Sequence, residues 1–128
     1  MTGDTGLAQK LDQLVGAFSG QVTYPMAHTQ FLIAVDFMVG PSREIVIAGN
    51  PELESTRAMA KSVQEKFLPN KVLLLRPDEG PAADKCIALA PFLVDIRSQN
   101  QRPTVYICEQ YACKAPITNL EDLEDVLN

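Results

Sequence analysis

A chain of 128 residues is the length of one domain, and 46% apolar with 21% charged residues suffices to bury a core. The net charge of −5 and the pI near 4.7 argue against nucleic acid as a partner, because the eleven basic residues are scattered and no aromatic platform exists for bases. The most apolar stretch, Phe31 to Val39, is broken by Asp36 and too short to cross a bilayer, and the N-terminus lacks a basic and apolar leader. A cytoplasmic protein with reduced thiols and no membrane span is expected.

From Leu7 the apolar residues Leu7, Ala8, Leu11, Leu14, Val15 and Phe18 fall on one face of a helix, which Gly20 ends. Thr23-Tyr24-Pro25 predicts the start of a second helix running to about Val39. That helix is apolar nearly all round: Met26, Phe31, Leu32, Ile33, Val35, Phe37 and Met38. It therefore expects neighbours on several sides.

At Gly40-Pro41-Ser42 the pattern changes. Glu44 to Ala48 reads as a strand buried on both faces, stopped by Gly49-Asn50-Pro51, where Asn50 is a good N-cap and Pro51 a good first helical residue. Leu53, Thr56, Ala60, Val63 and Phe67 mark an amphipathic helix near 52–67, closed by Pro69-Asn70. Lys71 to Leu75 predicts a second buried strand, and Ala82 to Leu89 a short helix before Pro91. Phe92 to Ile96 fits either a kinked continuation or an irregular packed segment, and Gln99 to Pro103 a polar loop.

Val105 to Cys108 has the β-branched and aromatic composition of a third strand near 104–108. It breaks into a polar, cysteine-bearing segment that stops at Pro116, the kind of strand end where α/β proteins place ligands. Thr118-x-x-Glu121 reads as a capping box for a last helix near 119–127, with Leu120, Leu123, Val126 and Leu127 on its apolar face. The alternation predicts an α/β fold with a three-stranded parallel sheet flanked by helices. An apolar helical hairpin, residues 1–40, precedes this module of residues 41–128. An antiparallel third strand is the rival, because 90–103 need not cross over as a helix does.

Tyr24-Pro25 opening an apolar helix, Glu44-Ile-Val-Ile-Ala-Gly49, Phe67-Leu-Pro-Asn70 before Val72-Leu-Leu-Leu75, and Tyr106-x-Cys108-x4-Cys113-x2-Pro116 occur in that order. Together they resemble the C-terminal region of the spermatogenesis-associated protein 20-like, or YyaL-like, thioredoxin-domain-containing proteins. The resemblance covers the chain from about residue 6. It implies that residues 7–39 correspond to the closing helices of an (α/α) toroid similar to six-hairpin glycosidases, and residues 43–128 to a terminal α/β module. The thioredoxin domain and most of the toroid have no counterpart here, so Met1 reads as a fragment boundary or the start of a separate short protein.

Cys108 and Cys113 are the candidate thiol or redox residues. C-x4-C after a strand lacks the C-x2-C arrangement at a helix N-terminus that lowers a thiol pKa, and two free thiols are expected, with Cys108 buried and Cys113 more reactive. Zinc would need Cys86, Cys108, Cys113 and His28 from separate elements to converge, so no metal or other cofactor is expected. His28 reads as a satisfied core or interface histidine, and no Ser-centred elbow accompanies it. Gly49 alone is a weak phosphate signal. Asn50, Asp78 and Glu109, beside Cys108, are expected to line one edge of the sheet as a strand-end cleft.

These features frame three functions. The favoured one is a non-catalytic module that packs on and completes a helical toroid. The others are part of an enzyme acting on a sugar or small metabolite, and a thiol-based redox module. The expected partner is the remainder of the parent toroid or, for the isolated chain, a second copy in a twofold dimer.

Overall fold

The computed structural model describes residues 3–109 and 112–128. Helix α1 spans Thr5–Ser19, started by Asp4, whose carboxylate accepts from the Leu7 amide at 3.0 Å. The single second helix expected from Pro25 is divided: Pro25–His28 form one 3₁₀ turn with no side-chain cap, and α2 follows over Thr29–Val39. Gly40 closes α2 by donating to the Asp36 carbonyl at 2.7 Å. A Cβ on Gly40 would lie 2.6 Å from that oxygen, so this sharp exit admits no side chain.

The strands are β1, Arg43–Ala48; β2, Lys71–Arg76; β3, Thr104–Glu109; and β4, Ala112–Cys113. Between them lie α3, Glu54–Glu65; α4, Pro81–Leu89; a 3₁₀ turn, Pro91–Asp95; and finally α5, Leu120–Leu127. Helix α3 is shorter than expected. It stops at Glu65, where Lys71 Nζ donates to the Val63 and Lys66 carbonyls at 2.7 Å each, and Phe67 lies 91% exposed outside the helix. The cap of α5 is one residue later than the expected box: Asn119 Oδ1 accepts from the Asp122 amide at 2.8 Å.

The sheet has four strands in the order β2-β1-β3-β4, and it is mixed rather than a three-stranded parallel sheet. β1 and β2 are parallel, with Ile45 opposite Leu73, but β3 runs antiparallel to β1, with Ile45 opposite Ile107 and Val46 opposite Tyr106. The cause lies between residues 90 and 103. Helix α4, nine residues and hence about 14 Å long, runs away from the end of β2, but the following turn brings the chain back. The buried Arg76 guanidinium donates to the Leu93 carbonyl at 3.1 Å, and Asp78 Oδ1 accepts from the Ser98 amide at 2.9 Å. The Tyr106 hydroxyl donates to the Arg97 carbonyl at 2.7 Å. A reversal at Gln99–Arg102, with Asn100 and Gln101 at φ of 52° and 59°, then feeds β3 into the sheet from the same end at which β1 and β2 finish.

Period-two alternation divides the sheet residues between two layers. Ile45, Ile47, Val105 and Ile107 face α3 and α5, packing with Met59, Val63, Ile117, Leu123 and Leu127. On the other face Val46 packs with Ala90 and Leu93, and Leu74, Tyr106, Cys86 and Ile87 surround them. β1 is buried on both faces as expected, whereas β2, an edge strand, is mostly only half-buried. Neither α1 nor α2 has a buried residue; Phe18 and Phe31 touch edge-to-face at 6.4 Å between ring centres. Among the described residues, no helix is long and apolar enough to cross a membrane.

The layering makes a sharp distinction between two isoleucines. Ile47→Ala, at a site with no exposure, should lower the unfolding free energy by about 2–5 kcal/mol. Ile33→Ala, the same truncation at 62% exposure, should change it by less than about 0.5 kcal/mol in the monomer. Equal losses in urea denaturation would contradict this assignment of the core.

Candidate functional site

The parallel pair β1 and β2 finishes at one edge of the sheet, and there the structure brings Asn50 and Asp78 together in a shallow depression of about 390 Å³. Both side chains serve the turns that carry them. Asn50 Oδ1 accepts from the Glu52 amide at 2.9 Å, capping the turn before α3, whose own N-cap is Leu53. Asp78 holds Ser98 and lies 3.8 Å from Arg76 Nη1, which also donates to the Pro77 carbonyl at 2.9 Å.

Glu109 is not there. Because β3 is antiparallel, Cys108 and Glu109 lie at the opposite end of the sheet, with Glu109 across from Arg43. Glu109 Oε1 meets Arg43 Nε at 2.7 Å, and Lys114 Nζ is 3.7 Å away. The expected single cleft of Asn50, Asp78 and Glu109 is therefore split between two ends of the molecule.

At that second end β3 folds back on itself. Glu109 opposes Ala112 and Cys108 opposes Cys113; residues 110 and 111 between them lie outside the described residues. The Lys114 amide donates to the Ile107 carbonyl at 2.9 Å, which makes Cys108 and Cys113 a non-hydrogen-bonded pair, the position where opposed α-carbons come closest. Their α-carbons are 3.9 Å apart, and the sulfurs are joined in a disulfide. The expectation of two free thiols is thus corrected. The expected asymmetry of exposure holds: Cys108 is 3% exposed, and Cys113 is exposed on the edge strand. Closing so short a loop is worth roughly 2 kcal/mol in chain entropy.

The C-x4-C spacing carried this information. Two intervening residues plus the Glu109–Ala112 pair place the fifth residue on from Cys108 directly across from it. Reading the segment as a loop hid the strand β4. Beyond Lys114 the return strand bulges and then rejoins β3 through the mutual hydrogen bonds of Val105 and Ile117, at 2.8 and 2.9 Å.

The disulfide lines a cavity of about 790 Å³ between the sheet and the first turns of α1. Leu7, Leu11, Pro91 and Phe92 give it apolar walls. Glu44, opposite Cys108 in the register, also lines it. Cys86 is elsewhere, on α4, with its sulfur 3.8 Å from the Leu75 carbonyl, and His28 lies half-buried between the 3₁₀ turn and α2. Among the described residues no group of His, Cys, Asp or Glu is arranged to hold a metal ion.

No protein-family model matches the chain, and no solved structure is significantly similar to it. Three curated proteins are similar along its whole length. Spermatogenesis-associated protein 20 of Rattus norvegicus is 33% identical over 129 aligned positions, covering 100% of this chain and 16% of that protein. The Homo sapiens and Mus musculus proteins of the same name are 30% and 32% identical, each over 99% of this chain and 16% of their own length. The chain thus resembles the C-terminal region of spermatogenesis-associated protein 20 and spans about one-sixth of these relatives.

The role of Asp78 as a turn-holder rather than a free carboxylate is open to a stability measurement. Asp78→Ala leaves the Ser98 amide without its acceptor and should cost about 1–3 kcal/mol. Asp78→Asn keeps an acceptor oxygen in place and should cost less than half as much. Two variants as stable as the parent would contradict the assignment.

Proposed function

We propose that this chain is the C-terminal α/β module of a longer protein of the spermatogenesis-associated protein 20 kind, non-catalytic by itself. Its α1–α2 pair packs on and completes a preceding helical toroid. One observation carries the reading: two helices rich in large apolar side chains bury none of them. Leu7, Leu14, Phe18, Ile33 and Val39 are between 48% and 70% exposed. Covering each such side chain is worth roughly 1.5–3 kcal/mol, so the face stays bare only at considerable cost. Helices of fifteen and eleven residues are also marginal without packing. The one-sixth share of the relatives' length supports a covering body supplied by the rest of such a protein.

The strand ends support no competing enzymatic reading, since Asn50 and Asp78 are engaged in their own turns and Glu109 is paired at the far end. A cytoplasmic setting is part of the proposal. Without the toroid, a second copy is the available cover, giving a twofold dimer through residues 7–39.

Light scattering should therefore find the isolated chain as a dimer at tens of micromolar. Fusion to the preceding region of the rat relative should return a monomer. A monomeric isolated chain, free of detergent or partner, would contradict the proposal.

A further inference from the structure

We infer that the Cys108–Cys113 disulfide is a thiol–disulfide exchange site, opened through Cys113 by a dithiol reductant while the rest of the fold stays closed. The inference does not depend on what covers α1 and α2. It rests on three features of the hairpin.

The first is asymmetry of access. Cys113 sits exposed on a two-residue edge strand, whereas Cys108 is 3% exposed within the sheet. Exchange requires a thiolate to approach one sulfur along the bond axis, and only the Cys113 end offers that approach. The second is an opening beside the bond. Both cysteines line the cavity with Leu7, Leu11 and Phe92, and its volume of about 790 Å³ gives a small reductant room beside the bond without unfolding the sheet.

The third is containment of the consequence. β4 is held to β3 by the disulfide, the Glu109–Ala112 pairing and the Lys114 amide, but Ile117 is anchored separately. Ile117 is 8% exposed in the same core cluster as Leu123 and Leu127, and it exchanges both backbone hydrogen bonds with Val105. Opening the bond therefore leaves β4 on the Glu109–Ala112 pairing and the Lys114 amide alone, so 112–116 loosen while α5 stays in place.

The chemistry balances with one dithiol. A thiolate of the reductant attacks Cys113 Sγ, and the bond to Cys108 breaks. Cys108 leaves as a thiolate and takes a proton from water. The second thiol of the reductant then displaces Cys113 from the mixed disulfide. Two electrons and two protons pass to the protein, and the reductant leaves as its own disulfide.

The test uses the folded chain with millimolar dithiothreitol, acid quench, alkylation and mass mapping, beside amide exchange of β1 as the clock for global opening. Reduction should outpace global opening by at least about tenfold, and exchange should then rise at 112–114 but not at 120–127. Reduction no faster than global opening, or loosening of α5, would make the bond a structural staple and overturn the inference. Two variants check the direction of attack. With glutathione disulfide, Cys113 in Cys108→Ser should form the mixed disulfide at least about tenfold faster than Cys108 in Cys113→Ser. Equal or reversed rates would also overturn it.

Discussion

The fold depends on where a buried cation finds its acceptors. Arg76 ends β2 at 1% exposure, and its guanidinium reaches the carbonyls of Leu93, Pro77 and Asp78. A charge so deeply buried is tolerated only with its donors satisfied, and one of its acceptors, the Leu93 carbonyl, comes from a segment that must return to the end of β2 to supply it. That return is incompatible with a full crossover. The chain therefore re-enters the sheet from the end at which it left, and β3 is antiparallel to β1.

The direction of β3 then decides the rest of the molecule's chemistry. It separates Glu109 from Asn50 and Asp78, so no single cleft forms at the strand ends. It also carries Cys108 to the end of the sheet near α1, where the hairpin places Cys113 across from it. Two small sites result, one of turn-holding polar groups and one built on a disulfide beside an apolar cavity.

Much of this was readable from the residues. β1 is a continuous apolar run because it is central and covered on both faces, and its neighbours Asn50 and Pro51 mark the end of the strand. The whole-length likeness to spermatogenesis-associated protein 20 also agrees with the motifs around Tyr24-Pro25 and Tyr106–Pro116. Strand direction was not readable, because Val105–Cys108 has the same composition either way. The deciding contacts, from Arg76 to Leu93 and from Asp78 to Ser98, span seventeen and twenty residues. Phe67 fitted the apolar stripe of α3 by spacing, yet lies outside it because Lys71 terminates the helix from the next strand. In the cysteine pair the signal was present, but it lay in a two-residue hairpin spacing rather than in apolar periodicity.

The α1–α2 pair is apolar by periodicity, and among the described residues none of its side chains is buried. The proposed packing role rests on that surface, and amide hydrogen exchange over residues 29–39 tests it most directly. In the isolated chain diluted to the monomer, α2 should exchange almost as an unprotected peptide while β1 stays protected. In a fusion carrying the preceding region of the rat relative, α2 should approach the protection of β1. Protection of α2 that is the same in the diluted chain and in the fusion would contradict the account.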